Sequence, residues 1–347
     1  MKTKKKFRVG VVGTDSLRGR EIKSILSVKK FPLTNIEFFD PDVEAEYSKL
    51  TEFQDEPKVI HHLAPKSLEG LDLVFLAADN ETNRACGRLA REMNFQAIDL
   101  GEAFSGQEDV PLIVAGVNDG IVARERFPVI ANPHPATIVL SSLLHCLIGK
   151  FGVAKTVAFI LQPVSAFDES GIEELASQSA ALLSSASLKK NVFKEQIAFN
   201  ILSHTEALGA DGFSSGEKLV IAEVKRVLSR PDFPISLTII QAPVFHTYSI
   251  MAYIELASEA EVRDLESVYK ESPFFKISSS SGSCSVSCIS VAGKEQIFIG
   301  QIKKEEVFPN AFWIWTVTDN LTRGSALNAL EIAKIIFASK AQESASL

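Results

Sequence analysis

A β-branched run and a glycine turn stand near the start of the chain, as Val9-Gly10-Val11-Val12-Gly13-Thr14-Asp15-Ser16-Leu17-Arg18-Gly19. The run predicts a buried strand, and Ile22, Ile25 and Leu26 then recur at the spacing of one helix face. A strand, a tight glycine turn and a helix in this order are typical of a Rossmann-type parallel sheet, where the turn holds the pyrophosphate of a dinucleotide. This stretch therefore predicts the fold of the N-terminal part of the chain.

The turn departs from the usual glycine pattern at one position. Gly13 and Gly19 stand where the first and last glycines are expected, but Ser16 replaces the middle one. Serine is small, and its hydroxyl can donate to a phosphate. The alternative interpretation is a tight turn that binds nothing, and the motif alone leaves both open.

Asp40 follows the second predicted strand, residues 36–39, about twenty residues after the glycine turn. A carboxylate at this place can accept hydrogen bonds from the ribose 2′-hydroxyl and would repel a 2′-phosphate, which favours NAD over NADP. Asp40 also opens the sequence Asp40-Pro41-Asp42, whose residue types suit a tight turn. Both interpretations of Asp40 stand.

The rest of the chain changes character after its first third. Short apolar runs alternate with helical patterns over the first 130 residues, which predicts a parallel α/β sheet. From about Lys155, longer strands at 156–162, 235–242 and 249–256 alternate with amphipathic helices, which predicts an α+β domain. A helix predicted over 324–338 can return to pack on the first domain.

Composition narrows the class of protein. The net charge of −7 over 347 residues argues against a nucleic-acid surface, and the basic residues 2–6 are interpreted as a tail, not a signal peptide. No apolar run reaches the roughly 18 residues that span a bilayer. Cys284 and Cys288 have no further ligands nearby, so no metal site is expected and the cysteines are interpreted as reduced. These features predict a cytoplasmic protein that binds neither nucleic acid nor a membrane.

Several segments beyond the glycine turn look like the motifs of one family: Ala97-Ile98-Asp99-Leu100-Gly101-Glu102-Ala103-Phe104, Asp109-Val110-Pro111-Leu112-Ile113-Val114, Ala131-Asn132-Pro133, Ala198-Phe199-Asn200, Gln241-Ala242-Pro243-Val244-Phe245 and residues 319–329. In this order they resemble the aspartate-β-semialdehyde dehydrogenase family, and especially its divergent Usg-type subgroup. The resemblance implies a homodimer whose subunits have a Rossmann-type parallel-sheet domain, residues 1–133 with 323–347, and an α+β substrate and dimerisation domain, residues 134–322.

The resemblance also implies a cofactor and a reaction. Family members interconvert an acyl phosphate and an aldehyde with a nicotinamide cofactor, through a cysteine thiolate, a thioacyl intermediate and a histidine base. The resemblance allows NAD or NADP, with NAD favoured by Asp40. The implied cofactor-binding residues are Gly13, Thr14, Ser16, Leu17, Gly19, Asp40, Ala77, Ala78 and Asn320.

Position by position, the catalytic pair of the family is missing. The nucleophilic cysteine falls on Pro135, which has no nucleophilic group, and the asparagine before it falls on His134. The catalytic histidine falls on Tyr248. On a continuous strand His246 would share a face with Tyr248, displaced by about 7 Å, which is too far for the same proton transfer.

The anion-binding positions have also changed. The carboxylate-binding arginine falls on Gln241, the phosphate-contacting arginine on Ser105 and the substrate lysine on Leu219. Bidentate arginine matches carboxylate geometry, and none of these replacements does. The glutamine that orients the substrate is retained as Gln162.

Three functions therefore remain open. The first is a catalytically degenerate homodimer that binds a dinucleotide. The second is an active oxidoreductase that transfers hydride to or from a small carbonyl or semialdehyde substrate, with Tyr248 or His134 as proton donor. The third is a scaffold without cofactor, in which Ser16 and the pair Asp79-Asn80 mark a filled site.

Overall fold

The structure is a computed structural model that describes residues 7–44, 49–278 and 286–343. The basic residues 2–6, Cys284 and most of the serine-rich segment 278–283 lie outside the described residues. The chain divides into two compact units, one of residues 1–134 with 325–347 and one of residues 135–324. Each unit has its own sheet and its own core.

The described residues form the following strands and helices, numbered in chain order. The strands are β1 (Phe7–Val12), β2 (Leu33–Asp40), β3 (Lys49–Phe53), β4 (Glu56–His62), β5 (Leu73–Leu76), β6 (Gln96–Asp99), β7 (Val129–Ala131), β8 (Val153–Gln162), β9 (Ile235–Gln241), β10 (Tyr248–Leu256), β11 (Phe275–Ile277), β12 (Ile297–Lys304) and β13 (Ala311–Thr318). The helices are α1 (Leu17–Val28), α2 (Asn80–Met93), α3 (Gly120–Arg124), α4 (Pro135–Phe151), α5 (Asp168–Leu183), α6 (Ser215–Val227), α7 (Val262–Glu271), α8 (Cys288–Val291) and α9 (Leu327–Glu343).

The first unit contains the predicted parallel sheet. Its described strands lie in the order β3-β4-β2-β1-β5-β6-β7, and neighbours are parallel except in the hairpin β3–β4. Val11 of β1 is paired with Phe38 on one side and Phe75 on the other. Strands buried on both faces are continuous apolar runs, so the sequence shows β1 and β5 clearly.

A C-terminal helix completes the core of this unit. The sequence predicts one helix over 324–338, and the structure has a π-helical turn at Thr322–Ala326 followed by α9. Phe337 of α9 stacks on Phe7 of β1 with ring centroids 3.5 Å apart. Leu330 of α9 and Leu26 of α1 belong to the same buried cluster. The core around the parallel sheet therefore contains residues from the N-terminal stretch of the first unit and from its C-terminal helix.

The second unit is built on a mixed sheet with the order β11-β12-β13-β10-β8-β9 among the described strands. Along β10, Ile250, Ala252 and Ile254 are buried and alternate with the partly buried Met251 and Tyr253. The buried face packs on α4, α6 and α7. The other face, called the outer face below, carries Val157, Phe159, Met251, Tyr253, Trp313 and Trp315. The two units confirm the predicted combination of a parallel-sheet α/β domain and an α+β domain.

Among the residues that the structure describes, none of the helices combines the length and apolar character needed to cross a membrane.

Candidate functional sites

The glycine turn of the first unit is packed so tightly that two of its positions exclude a side chain. Gly13 has a φ of 79°, and a Cβ there would lie 2.6 Å from the carbonyl carbon of Ala77. A Cβ at Gly19 would lie 2.9 Å from the carbonyl carbon of Gly13. Both distances are below any real carbon contact, so α1 can approach β1 and β5 only because these residues are glycines.

Ser16 begins α1 as its N-cap, a role that suits serine. Its hydroxyl oxygen accepts from the amide of Gly19 at 2.9 Å and lies 2.8 Å from the carbonyl of Ala77 and 2.9 Å from that of Gly13. A hydroxyl has one proton, so it donates to one of these two carbonyls. The hydroxyl predicted to meet a phosphate is thus used within the turn itself.

Of the two roles that the sequence left open for Asp40, the structure shows the turn, and the contact with a ribose stays a prediction. Its Oδ1 accepts from the amide of Asp42 at 3.1 Å, which makes the predicted turn. Its Oδ2 accepts from the amide of Asp15 at 3.3 Å, so the carboxylate also lies against the glycine turn. Thr14 is buried beside it, with its hydroxyl 3.2 Å from the carbonyl of Phe39. The carboxylate is therefore fixed where the second strand and the glycine turn meet.

The side chain of Lys49 contacts the glycine turn. Lys49 of β3 forms an ion pair with the carboxylate of Asp15, and the hydrogen bond from that ion pair raises the pKa of Lys49. This contact was not predicted, because the residues are 34 positions apart and β3 was not predicted either. The turn thus carries two carboxylates and a lysine at its rim.

A buried carboxylate at the end of β6 fixes the segment that follows it. Asp99 accepts from Asn83 Nδ2 at 2.8 Å, from the amide of Gly101 at 3.1 Å and from the amide of Phe104 at 3.3 Å. Burial raises the pKa of Asp99 to about 6. Asp99 lies in one of the motif-like segments, but its role as an anchor was not predicted.

The turn after β7 is hydrogen-bonded to α9, 196 residues further along the chain. Asn132 is buried, and its Oδ1 accepts from Asn328 Nδ2 at 2.7 Å. The same Asn328 accepts from the amide of Ala115 at 2.8 Å and donates to the carbonyl of Ile113 at 3.0 Å. His134, which follows in this turn, is 8% exposed. The family-like Ala131-Asn132-Pro133 segment is therefore a fixed part of the first unit.

Pro135 opens the second unit as the first residue of α4, a position that proline suits. A Cβ at Gly324 would lie 2.9 Å from the Cβ of Pro135, so the ring packs closely on that glycine. Two residues on, Thr137 donates to Oε2 of the buried Glu223 of α6 at 2.6 Å. Glu223 was not singled out by the sequence, although its spacing from Val220 and Val227 on the buried face of α6 is a signal that could have found it.

Two substituted family positions and the retained glutamine meet at one end of the buried sheet face. Tyr248 donates through its hydroxyl to Gln162 Oε1 at 2.9 Å, and Gln162 Nε2 donates to Gln241 Oε1 at 3.2 Å. Gln241 Nε2 lies 3.0 Å from the carbonyl of Gln162 and 3.2 Å from that of Ala242. Gln241 and Tyr248 are each 1% exposed. These side chains form a neutral chain of hydrogen bonds, called the Tyr–Gln–Gln chain below.

The segment before Tyr248 is not part of the strand. β10 begins at Tyr248, and Thr247 has a φ of 78°, which is an outlier for a β-branched residue. The expectation that His246 shares a strand face with Tyr248 is therefore wrong, because the left-handed backbone at Thr247 breaks the alternation. Asn320 accepts from the amide of Thr247 at 3.0 Å and is also hydrogen-bonded to Ser165. The amide predicted to meet a cofactor thus stabilises this turn.

Known proteins match both units. Residues 8–124 match the family model "Semialdehyde dehydrogenase, NAD binding domain", and residues 144–323 match "Semialdehyde dehydrogenase, dimerisation domain". An aspartate-semialdehyde dehydrogenase of Rickettsia bellii is 28% identical over 332 residues, which is 95% of this chain and 97% of that protein.

Solved structures agree in fold. The structure of aspartate semialdehyde dehydrogenase II from Vibrio cholerae, complexed with ASA, has a TM-score of 0.89 at 22% identity and covers 96% of this chain and 98% of its own. A probable aspartate-semialdehyde dehydrogenase from Pseudomonas aeruginosa has a TM-score of 0.88 at 25% identity, with coverage of 96% and 98%.

The glycine turn on a parallel sheet and the separate α+β unit define a two-domain protein of the dehydrogenase type with a Rossmann nucleotide-binding domain. The chain belongs to the semialdehyde dehydrogenase family, as its motifs predicted.

Proposed function

We propose that this protein is a divergent, Usg-type member of the family that binds a dinucleotide but does not catalyse the family reaction. The observation that carries the proposal is the Tyr–Gln–Gln chain. From the family resemblance we assign the position of the catalytic base to Tyr248 and that of the carboxylate-binding cation to Gln241. Both side chains are neutral, buried and hydrogen-bonded through Gln162. They offer a substrate carboxylate no charge.

The position of the nucleophile supports the same conclusion. Pro135 has no group that could attack a carbonyl carbon, and its ring is packed against Gly324. Loss of a covalent nucleophile from a concerted catalytic unit costs several orders of magnitude in rate. Each lost charge-assisted contact to a substrate anion removes about 1.5–3 kcal/mol more. The combined loss leaves no route to the thioacyl intermediate.

The glycine turn fits a dinucleotide. The missing side chains at Gly13 and Gly19 let α1 begin directly against β1 and β5, as a helix N-terminus does where this fold binds a pyrophosphate, and the carboxylate of Asp40 is fixed beside the turn. We expect Gly13, Thr14, Ser16, Leu17 and Gly19 to surround the phosphates. A bound nicotinamide would supply a hydride acceptor or donor.

The same carboxylate supports NAD as the preferred cofactor. Asp40 would accept hydrogen bonds from the ribose hydroxyls and would repel a 2′-phosphate. Lys49 does not offset this effect, because its ammonium group is already paired with Asp15.

We further propose that the protein acts as a homodimer joined through the outer face of the second sheet. The match to the family's dimerisation domain supports homodimer formation. The outer face carries aromatic and aliphatic side chains, of which Phe159 is 42% exposed. The other side chains of this face are half-buried, and an apolar face that is partly open to solvent is typical of an interaction site.

Calorimetry with NADH and NADPH tests cofactor binding. Micromolar binding that is tighter for NADH supports the proposal, and no binding at millimolar concentration would leave the scaffold hypothesis. Gly13→Val provides a control without binding, because its side chain would collide with Ala77 and Ala78. Circular dichroism and the melting temperature report whether this variant folds.

Enzyme assays test the loss of the reaction. We expect no phosphate-dependent oxidation of aspartate semialdehyde, and activity like that of an active family member would overturn the proposal. Oxidation of NADH with a panel of small carbonyl compounds tests the alternative oxidoreductase. Turnover there that is lost in Tyr248→Phe would favour the alternative.

A further inference from the structure

A pair of apolar side chains is exposed in the long connection between α5 and α6. Phe199 is 72% exposed and Ile201 is 63% exposed. They flank Asn200 in the motif-like segment Ala198-Phe199-Asn200, to which the proposed function gives no role. We call Phe199 and Ile201 the knob.

Two buried side chains of α5 hold the chain that leads to the knob. Glu174 accepts from the amides of Asn191 and Val192, each at 2.7 Å. Gln178, which is 0% exposed, accepts from the amide of Ile197 at 2.8 Å and also donates to a backbone carbonyl at 2.7 Å. This part of the connection has no regular secondary structure, yet its backbone is bound to a helix along its length.

The knob itself is also fixed. Phe199 has a φ of 57°, and Asn200 donates through Nδ2 to the carbonyl of Gln196 at 2.9 Å. The Oδ1 of Asn200 accepts from the amide of Ile201 at 2.9 Å. Leu202 then forms a two-way backbone bridge with Gln241, at 3.1 and 2.9 Å. Because the backbone that carries these side chains is already fixed, binding costs little backbone entropy, which favours Phe199 and Ile201 as interface anchors.

A groove with apolar side chains in its lining lies beside the outer face. It encloses about 280 Å³ and is lined by Val157, Ala158, Phe159, Gly212, Phe213, Glu217, Ser236, Leu237 and Thr238. Glu217 is its one charged residue, and its carboxylate accepts from the backbone amides of Ser214 and Ile239. Side chains of a protein partner suit this groove better than a charged metabolite does.

We propose that the knob of one copy inserts into this groove of a second copy. Val157 and Phe159 belong both to the groove and to the outer face, so the groove continues the proposed dimer interface. In a two-fold dimer each contact occurs twice, and a knob and a groove on the same chain satisfy that symmetry. This inference rests on the proposed homodimer.

Site-specific photo-crosslinking tests the contact. p-Benzoylphenylalanine replaces Phe199 in one isotopically labelled copy, which is mixed with unlabelled wild-type protein before irradiation. We expect crosslinks between copies, on peptides that contain Phe159 or Phe213. Crosslinks between copies that map elsewhere, or only within one copy of a dimeric sample, would overturn the insertion and leave the homodimer intact. A sample that ultracentrifugation finds monomeric would overturn both.

Substitution gives an independent measurement. Phe199→Ser and Ile201→Ser should each raise the Kd of the dimer by about 10- to 100-fold, as expected for loss of an interface anchor. Leu183→Ser is the matched control, because Leu183 is 83% exposed at the end of α5 and lies in neither knob nor groove. Equal Kd values for all three variants and the wild type would contradict the insertion.

Discussion

The hydroxyl of Tyr248 donates a hydrogen bond to Oε1 of Gln162, and the two atoms are 2.9 Å apart. This bond sets the direction of the Tyr–Gln–Gln chain, because an amide oxygen can only accept and Gln162 must then donate onward to Gln241. Tyr248, Gln162 and Gln241 are thereby hydrogen-bonded to one another at the buried end of the second sheet. A substrate carboxylate would have to break these bonds without gaining a cation in return.

Tyr248→Phe should lower the free energy of unfolding by about 1–2 kcal/mol, because it leaves Gln162 Oε1 without its donor. Urea unfolding measures the change. Tyr253→Phe is the matched control, since the hydroxyl of Tyr253 bonds to Glu255 on the outer face of the same strand. An equal loss in both variants would show that the Tyr–Gln–Gln chain adds nothing specific.

Pro135→Cys should not restore the family reaction, because the positions of the base and the carboxylate-binding cation stay neutral. We expect phosphate-dependent oxidation of aspartate semialdehyde to remain at least about 10³-fold below that of an active relative. Pro135→Ala controls for the loss of the proline ring at the start of α4. Strong rescue by the cysteine alone would mean that Tyr248 and Gln241 do not occupy the positions assigned to them.

Asp40→Asn should weaken NADH binding by about tenfold, because one charge-assisted hydrogen bond to the ribose becomes a neutral one. NADPH should bind as well as before or better, since the repulsion of its 2′-phosphate is removed. Calorimetry on both cofactors gives the ratio. Asp42→Asn is the control, as Asp42 is exposed in the same turn. An unchanged ratio in Asp40→Asn would remove the argument for NAD.

Asp99 should make stability fall as pH rises. Its pKa is raised by burial to about 6, against about 3.9 in an unfolded chain, so the folded state binds the proton more tightly. The free energy of unfolding should therefore decrease by up to about 3 kcal/mol between pH 4 and pH 7, relative to Asp99→Asn. Denaturant titrations at several pH values measure this difference. Asp232→Asn, at an exposed position, should follow the wild type throughout. A pH-independent difference for Asp99→Asn would contradict the raised pKa.

The sequence predicted the parts of the fold whose strands are buried on both sides. β1 and β5 are continuous apolar runs, whereas β3 and β4 carry many charged residues and were missed. Their two-residue turn consists of Gln54 and Asp55, with φ of 55° and 62°, and lacks the glycine that usually marks such a hairpin. Gln54 and Asp55 adopt a left-handed backbone here, but these residue types do not by themselves predict a hairpin turn.

The candidate site was predictable only in part for a related reason. Gln162, Gln241 and Tyr248 were chosen by resemblance, and no spacing in the sequence could place three residues up to 86 positions apart in one hydrogen-bond chain. Their meeting depends on the register of β8 with β9 and β10. Ser16 was predicted to face a phosphate, but its hydroxyl caps α1 and also lies 2.8 Å from the carbonyl of Ala77, 61 residues away.

The return of α9 to the first unit affects the order in which the protein can mature on the ribosome. α9 brings Phe337 to Phe7 and Asn328 to Asn132, yet it is synthesised only after the whole of residues 135–324. The second unit is contiguous, so a nascent chain can complete it while the first sheet still lacks its last helix. Domains usually fold in the order of translation, but here the half that is translated first must be the last to finish.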